Sequence, residues 1–270
     1  MPIDLATVGD NCIDRYLPPI GISTVGGNAV NVAVHLRHQL LDVGYFGAVA
    51  NDADGERTVT TLRAEGVETT HLRVATGHTA FTEIRTDDAG ERTIGFEDFG
   101  TSGEYRPDPD EVRLLLTMRH VHLGWLNDGG ALRRTLSAAG VSVSQDVSVN
   151  AAPDNLGVAG LAIAFASAGT SGERAEELLA EMLTTGAHVA VVTCGASGSV
   201  ACDGVSRAEA GIAPTKVVDT TGAGDTFIAG FLAAYLDSHD LQHALEVGRD
   251  LAATTCSHFG GFRQREVRLS

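Results

Sequence analysis

The segment 217–227 contains the residues best suited to chemistry. Its sequence, VVDTTGAGDTF, is typical of a strand, a turn and the start of a helix. Because Gly222, Ala223 and Gly224 have little or no side chain, their backbone N–H groups can converge on an anion, which the helix dipole also favours. Asp225 then stands where a carboxylate can take a proton from an attacking hydroxyl. The segment predicts phosphoryl transfer; the alternative is a plain turn before a helix-stabilising aspartate.

Composition limits the classes of function that the chain can have. Its 270 residues are 43% hydrophobic and 20% charged, as in globular proteins, and are enough for one large α/β domain or two small ones. No apolar run approaches the roughly 20 residues of a membrane span, and the start of the chain lacks a signal-peptide pattern, so we expect a cytoplasmic protein. The formal charge of −16 argues against nucleic-acid or membrane partners and suits a neutral or cationic substrate.

The chain's only lysine, Lys216, does not follow a glycine, which excludes the P-loop pattern G-x-x-x-x-G-K-[ST]. Any nucleotide phosphates must therefore be bound by backbone amides, arginine and a metal ion. The four scattered cysteines have no C-x-x-C spacing and predict free thiols. His239 and His243 have helical spacing but no third ligand nearby, so we expect no metal there.

Two early segments place polar residues where ligands bind. The strand 5–8 leads into Asp10 and Asn11, with Asp14 soon after, and open α/β sheets bind ligands at the carboxyl ends of their strands. The motif GGNAVN at 26–31 then predicts a turn into a helix whose apolar positions are Val30, Val34, Leu36 and Leu40.

The rest of the chain predicts a hairpin followed by alternating strands and helices. Residues 81–85 and 92–96 alternate in polarity around the turn residues 87–90. Further strands are predicted at 120–123, 141–144, 161–165 and 188–193, with a helix at 173–183. This order predicts one doubly wound α/β domain, 1–270, with a mostly parallel sheet and a small β lid from segments around 14–25 and 78–100.

Three strings resemble the ribokinase-like sugar kinases over nearly the whole chain. They are the motifs at 26–31 and 217–227 and the segment 192–199, VTCGASGS, which is similar to the family's nucleotide loop. Within that family, residues 6–14, 26–31 and 165–168 look most like the members that phosphorylate fructosamines such as fructoselysine. The resemblance implies a ribokinase-like fold.

The resemblance also implies roles for residues that match the family's motifs. Asp225 would be the catalytic base, and the amides of Gly222, Ala223 and Gly224 the anion hole. The acceptor side would consist of Asp14, which binds sugar hydroxyls, Asn31, Asn28, and Gly26 and Gly27, where the backbone approaches the sugar. Asp10 and Asn11 would line the site or only shape the turn. Glu97 or Asp98 could meet the amine of a fructosamine, or form part of a solvated acidic surface.

For the nucleotide, the resemblance implies Thr193, Gly195, Gly198 and Thr220, with ATP and Mg²⁺ as cofactors. Many relatives carry an N-x-x-E motif whose glutamate helps to place magnesium, but the chain has SAGT at 167–170. The magnesium ligands are therefore unassigned, with Asp146, Glu173, Glu176 and Glu177 as alternatives. Asp219 resembles a position that binds a monovalent cation such as K⁺ in some relatives, or it fixes its own turn.

The resulting expectation is an ATP-dependent kinase for a primary hydroxyl, the 6-hydroxyl of fructoselysine or a related fructosamine. The alternatives are a kinase for fructose, ribose, a keto-deoxy sugar acid or a nucleoside, and a sugar-binding regulator without turnover. An oxidoreductase is disfavoured, because no G-x-G-x-x-G follows a strand. The expected partners are the sugar and ATP, with a homodimer through the lid.

Overall fold

The computed structural model describes residues 4–86, 92–149 and 152–269. Its strands are β1 (Leu5–Val8), β2 (Cys12–Tyr16), β3 (Ile22–Gly26), β4 (Val43–Ala50), β5 (Leu72–Ala75), β6 (Phe81–Thr86), β7 (Arg92–Asp98), β8 (His120–Leu123), β9 (Ser142–Asp146), β10 (Ile163–Ser167), β11 (Val189–Thr193), β12 (Ser199–Cys202), β13 (Arg207–Ala210) and β14 (Val267–Arg268). Its α-helices are α1 (Asn28–His38), α2 (Ala53–Ala64), α3 (Gly100–Glu104), α4 (Pro109–Leu115), α5 (Ala131–Ala138), α6 (Gly172–Thr184), α7 (Ala223–Ser238) and α8 (Leu241–Thr255).

Nine of the described strands form one sheet, in the order β13-β12-β11-β10-β9-β8-β1-β4-β5. The strands from β11 to β5 are parallel, and β12 and β13 extend the sheet antiparallel. The chain proceeds from β1 to β4 and β5 on one side, then returns to β8 on the other. Such a reversal opens a crevice at the carboxyl ends of the strands, where ligands bind in open α/β sheets.

Helices cover both faces of this sheet, because its strand residues point alternately to opposite sides. In β11, Val189 and Val191 pack with a core cluster that includes residues of α1, α7 and α8. Ala190 and Val192 belong to a second cluster, with residues of α5 and α6. The predicted doubly wound α/β class, with a mostly parallel sheet, is confirmed.

The second sheet is smaller and has the order β14-β3-β2-β6-β7 among the described residues. It contains most of the segments 14–25 and 78–100 that were predicted to form a lid, together with β14, which the sequence analysis did not predict. The hairpin of β6 and β7 is antiparallel as expected, while its predicted turn, 87–90, lies outside the described residues. The description of residues 1–270 as one domain with a lid stays a prediction.

Four of the eight described α-helices begin on a polar side chain that caps them, whereas the two that serve the site begin on glycine. Asp52 caps α2 by accepting a hydrogen bond from the Gly55 N–H at 2.7 Å, and Asp240 caps α8 in the same way. The residues before α1 and α7 are Gly27 and Gly222, which offer no side-chain cap. First-turn amides have no acceptor within their own helix, so these two helix starts can bind other groups.

Two local expectations are wrong. Leu40 is not in the first helix, which ends at His38; it has a φ of 65° and is 88% exposed. A left-handed residue ends the helix there, so the apolar period cannot continue. No strand forms at Val217 and Val218, where the Val218 N–H donates instead to the Cys256 carbonyl at 2.7 Å.

In the described part of the chain, no helix is long and apolar enough to cross a membrane.

Candidate active site

A cavity of about 490 Å³ lies at the carboxyl ends of strands of the larger sheet and is also lined by residues of the smaller sheet, which is called the lid below. Asp10 and Asn11 follow β1, Trp125 follows β8, and Asp225 lies in the first turn of α7; all four line the cavity. The volume is in the range of roughly 300–1,000 Å³ that small-molecule sites occupy. The structure thus brings the predicted base and all of the predicted acceptor-side residues except Gly26 into one cavity.

The glycine turn before α7 is shaped by two different requirements. Gly222 has a φ of 73°, and a Cβ there would lie 2.4 Å from the Cα of Gly261, so a side chain is excluded. A Cβ on Gly224 would meet open space, so the backbone there is accessible to a ligand. The Ala223 N–H donates to the Thr220 carbonyl at 3.1 Å. The Ala223 amide already closes the turn, so the geometry favours the two glycine amides for anion binding; the use of all three amides stays a prediction.

The Asp225 carboxylate is held by two asparagines of α1. Its Oδ1 accepts a hydrogen bond from Asn28 Nδ2 at 2.6 Å, and its Oδ2 accepts one from Asn31 Nδ2 at 2.7 Å. Burial raises the pKa of Asp225 to about 7; the Asn31 hydrogen bond opposes this shift and the charge of Asp146 adds to it. A general base is most effective when its pKa lies near the working pH, so this environment suits proton abstraction.

Asp10 and Asp146 fix the start of α1. The Asp10 carboxylate accepts hydrogen bonds from the backbone N–H groups of Asn28 at 2.7 Å and Trp125 at 3.1 Å. Asp146, at the end of β9, accepts one from Asn28 Nδ2 at 2.9 Å. Burial raises the pKa of both carboxyl groups. These contacts orient the asparagine that binds the base, which favours a positioning role for Asp10; direct contact with the sugar stays a prediction.

The cavity-facing side of the lid carries a row of polar residues. Thr24, Asp14, Thr82 and Glu97 lie opposite one another on the four neighbouring strands β3, β2, β6 and β7. Residues directly opposite in a sheet point to the same face, so this row can offer several hydrogen-bonding groups to a polyhydroxylated ligand. Three members, Asp14, Thr82 and Glu97, line the cavity.

Asp14 is almost fully buried, and its environment favours the neutral form. Burial raises its pKa to about 7 from the ordinary 3.8, a shift that the hydrogen bond from the Cys12 thiol opposes and the charge of Asp219 increases. Because the folded-state pKa lies above the unfolded one, this carboxyl contributes most to stability below about pH 4, and the contribution is lost as the pH rises to about 7.

Asp14→Asn is therefore expected to raise the melting temperature by several degrees above pH 7, with a gain that shrinks towards zero near pH 4. Thermal unfolding across this pH range measures the effect. Asp54→Asn is the control, because Asp54 is partly exposed in an ion pair with Arg15 outside the cavity. A melting temperature that is unchanged or lower at pH 8 would contradict this account of Asp14.

The glycines at 26 and 27 and the residue Asn11 pack against protein atoms. A Cβ on Gly26 would lie 2.2 Å from Asp14 Oδ2, and a Cβ on Gly27 would lie 2.6 Å from the Asn11 Cα. Asn11 Nδ2 donates to Tyr45 Oη at 3.0 Å and to the carbonyl of Ala48 at 2.7 Å. These residues hold the lid strands close to the end of β1; their predicted contacts with the sugar stay predictions.

Asp219 is fully buried, and both of its carboxylate oxygens accept hydrogen bonds from protein groups. Its Oδ2 accepts hydrogen bonds from Tyr16 Oη at 2.5 Å and the Gly260 N–H at 2.9 Å, and its Oδ1 accepts two from Thr221. Burial opposes the charge, but these four hydrogen bonds together lower its pKa. The arrangement fits the alternative interpretation, in which Asp219 fixes its own turn, and it fits a K⁺ ligand poorly.

Most of the predicted nucleotide residues lie at or just after the carboxyl end of a more distant strand of the same sheet. Thr193 ends β11, which is four strands from β1 and so about 19 Å away at about 4.8 Å per strand. Gly195 and Gly198 follow it, with φ of 51° and 96°. Of the four predicted residues, Thr220 lines the cavity that contains Asp225. An elongated ligand along this edge would span both regions.

No magnesium site can be identified among the described residues. They contain no group of three or more His, Cys, Asp or Glu side chains that could hold a metal. Glu176 and Glu177 form ion pairs with Arg207 and Arg174. Asp146 is the alternative whose charge acts on Asp225. Magnesium binding stays a prediction without assigned ligands.

Sequence reasoning missed residues that reach the site from distant parts of the chain. Phe99 and Trp125 line the cavity, and the Tyr16 hydroxyl supports the glycine turn through Asp219. A Cβ on Gly261 would lie 2.3 Å from Asn31 Oδ1, so the segment after α8 also packs against the site. The adjacent glycines at 260 and 261 were the one local signal of such close packing.

Comparison with known proteins identifies the family. The sequence pattern of the pfkB family carbohydrate kinases matches residues 22–146 and 158–265. The chain is 32% identical to fructoselysine 6-kinase of Escherichia coli strain K12, over 96% of this chain and 99% of that protein. It is 28% identical to the fructosamine kinase FrlD of Bacillus subtilis strain 168, over 96% and 92% of the two chains. Its fold is similar to that of Arabidopsis thaliana ribokinase complexed with ribose and ATP, with a TM-score of 0.84, 22% identity and coverage of 96% and 94%.

These similarities confirm the family that the motifs predicted and the ribokinase-like fold. The matched residues include both the start of α1 and the glycine turn before α7. The chain belongs to the pfkB family of carbohydrate kinases and is an ATP-dependent sugar kinase.

Proposed function

We propose that this kinase transfers the γ-phosphoryl group of ATP to the 6-hydroxyl of fructoselysine or a related fructosamine. Similarity to two fructosamine-acting relatives over 96% of the chain supports the acceptor class. The observation that carries the proposal is that the described residues lining the cavity include carboxyl groups and no basic side chain, which favours amine-bearing acceptors over anionic ones.

The described residues that line the cavity include five carboxyl groups and no arginine, lysine or histidine; the acidic residues are Asp10, Asp14, Glu97, Asp98 and Asp225. A sugar acid or sugar phosphate would bring a further negative charge without a basic partner. A fructosamine carries a secondary ammonium group, which a carboxylate can bind through a charge-assisted hydrogen bond. The cavity therefore favours a cationic acceptor over a keto-deoxy sugar acid.

Glu97 is the better candidate than Asp98 for this ammonium group. The Asp98 carboxylate already accepts hydrogen bonds at Oδ1 from His78 Nε2 at 2.8 Å and from the Gly100 N–H at 2.9 Å. Burial raises the pKa of Glu97, and the charge of Asp10 adds to the shift. A bound ammonium group would stabilise the charged form of Glu97 and so oppose this rise in its pKa.

Asp225 takes the proton in this reaction, and its neighbours hold it in place. Asn28 and Asn31 hold its carboxylate, which takes the proton of the 6-hydroxyl as the oxygen attacks. The backbone at Gly222 and Gly224 stabilises negative charge on the transferred group, an interaction worth about 3–4 kcal/mol per well-placed donor. ATP supplies the phosphoryl group, and closure of the lid would keep water from competing with the acceptor.

We assign the nucleotide to the edge formed by Thr193, Gly195 and Gly198, with its phosphates extending to Thr220 and the glycine turn. The open space beside Gly224 supports a phosphate group at that turn. Mg²⁺ and K⁺ stay predictions, as does the homodimer through the lid.

Rates of phosphorylation over a panel of acceptors test the proposal. We expect kcat/KM to be highest for fructoselysine and other fructosamines, lower for fructose and ribose, and lowest for a keto-deoxy sugar acid. A coupled assay of ADP release measures these rates. Equal efficiency with fructose or ribose would leave the sugar-kinase assignment intact and remove the fructosamine one.

Glu97→Gln is expected to reduce the preference for fructoselysine over fructose by about 10- to 150-fold, the factor for a charge-assisted hydrogen bond of about 1.5–3 kcal/mol. The ratio of the two kcat/KM values measures it. Asp98→Asn is the matched control, since Asp98 lines the same cavity but is bound to His78. A larger loss of preference in Asp98→Asn would reverse the assignment.

A further inference from the structure

Two aromatic rings stack at the wall of the cavity and have no part in the proton transfer. The ring centroids of Phe99 and Trp125 are 4.2 Å apart, with 15° between the ring planes. Both side chains are partly exposed, and both line the cavity. Phe99 follows β7 of the lid and Trp125 follows β8 of the larger sheet, so the pair joins the two sheets at the cavity.

A short series of hydrogen bonds links the backbone of Trp125 to the base. Asn28 Nδ2 donates to Asp225, the Asn28 N–H donates to Asp10, and the Trp125 N–H donates to the same Asp10 carboxylate. The Trp125 backbone is therefore joined to the reacting centre through Asn28 and Asp10, and both rings line the same cavity as Asp225. A group at the opposite end of the acceptor from its reacting hydroxyl would be within reach of them.

The proposed acceptor has such a group. Its reacting hydroxyl is on C6, and its amine substituent is on C1, at the other end of the sugar carbon chain. Glu97, which lines the same cavity, lies two residues before Phe99. Aromatic faces attract ammonium groups and also pack against the methylene chain of an alkyl substituent.

We propose that Phe99 and Trp125 form a subsite for the alkylammonium substituent of the acceptor, and that this subsite contributes to the preference for N-substituted sugars over free ones. The inference rests on the proposed function, because a free sugar has no group to place there. The ligand class is a 1-amino-1-deoxy ketose whose nitrogen carries an alkyl chain.

Phe99→Leu tests the subsite, because it keeps apolar bulk and removes the aromatic face. The ratio of kcat/KM for fructoselysine to that for fructose should fall by about 2- to 30-fold, the range for a cation–π contact. Phe96→Leu is the matched control: Phe96 lies in β7, three residues before Phe99, is 51% exposed and is not among the described lining residues. The control should leave the ratio unchanged.

Tryptophan fluorescence gives a second readout, because Trp125 is the only tryptophan of the chain. Fructoselysine titrated into the wild-type protein without ATP should change the emission more than fructose does at equal saturation. Equal losses for both substrates in Phe99→Leu, or equal emission changes, would overturn the subsite while the proposed function survives. If the wild-type enzyme does not phosphorylate fructoselysine, the proposed function fails and the subsite fails with it.

Discussion

Asp225→Asn is expected to lower kcat by about 10²–10⁴, the usual range for the loss of a general base. Asparagine has the shape of aspartate, but it cannot take the proton from the attacking hydroxyl. In the same orientation it would also present an oxygen to only one of the two asparagine donors that now bind the carboxylate, and an NH2 group to the other. Steady-state turnover at saturating acceptor and ATP measures the effect, and calorimetry should show both ligands still binding.

The pH dependence of the wild-type enzyme separates this role from a structural one. Burial raises the pKa of Asp225 to about 7, and the base must be deprotonated to act. The kcat should therefore fall about tenfold per pH unit below about pH 7 and level off above it. Asp225→Asn should lack this acidic limb. A variant that keeps near wild-type turnover and the same profile would remove Asp225 from the mechanism.

Asp14→Ala is expected to lower kcat/KM for the acceptor by about 10²-fold or more, with ATP binding nearly unchanged. The carboxyl group is buried in the cavity-facing row of the lid and is ionised above about pH 7, where a hydrogen bond from a sugar hydroxyl to the charged group contributes about 1.5–3 kcal/mol. Losing two such bonds accounts for the expected factor.

The control for Asp14→Ala is Asp14→Asn, which retains the shape and an acceptor oxygen and should lose less. Calorimetric titration with each ligand separates acceptor binding from ATP binding. Equal losses for both ligands, or loss of folding alone, would favour a structural role for Asp14.

Local patterns predicted the parts of the site that are formed by neighbouring residues. The glycines at 222 and 224 and Asp225 lie within one turn, and their types indicate anion binding and proton transfer wherever the turn is placed. The hairpin of β6 and β7 was also predictable, because its alternating polar and apolar residues are neighbours in the sequence. Family resemblance then supplied the acceptor side, including Asp14 and Asn31.

Contacts between distant residues could not be predicted from the sequence. Asn28 and Asp225 are 197 positions apart, and Tyr16 and Asp219 are 203 apart, so nothing local indicates that they touch. Leu40 shows a different limit: it fits the helical period, but the backbone turns left-handed before it can join the helix.

The most direct test of the account is to identify the product formed from fructoselysine and ATP. ³¹P and proton NMR of the product, with ADP measured in parallel, show which oxygen carries the phosphoryl group. We expect one phosphomonoester on the 6-hydroxyl, formed in equal amount to ADP and only slowly by Asp225→Asn. No phosphorylated fructosamine, a phosphate at another position, or ADP release without a sugar phosphate would contradict the proposed reaction.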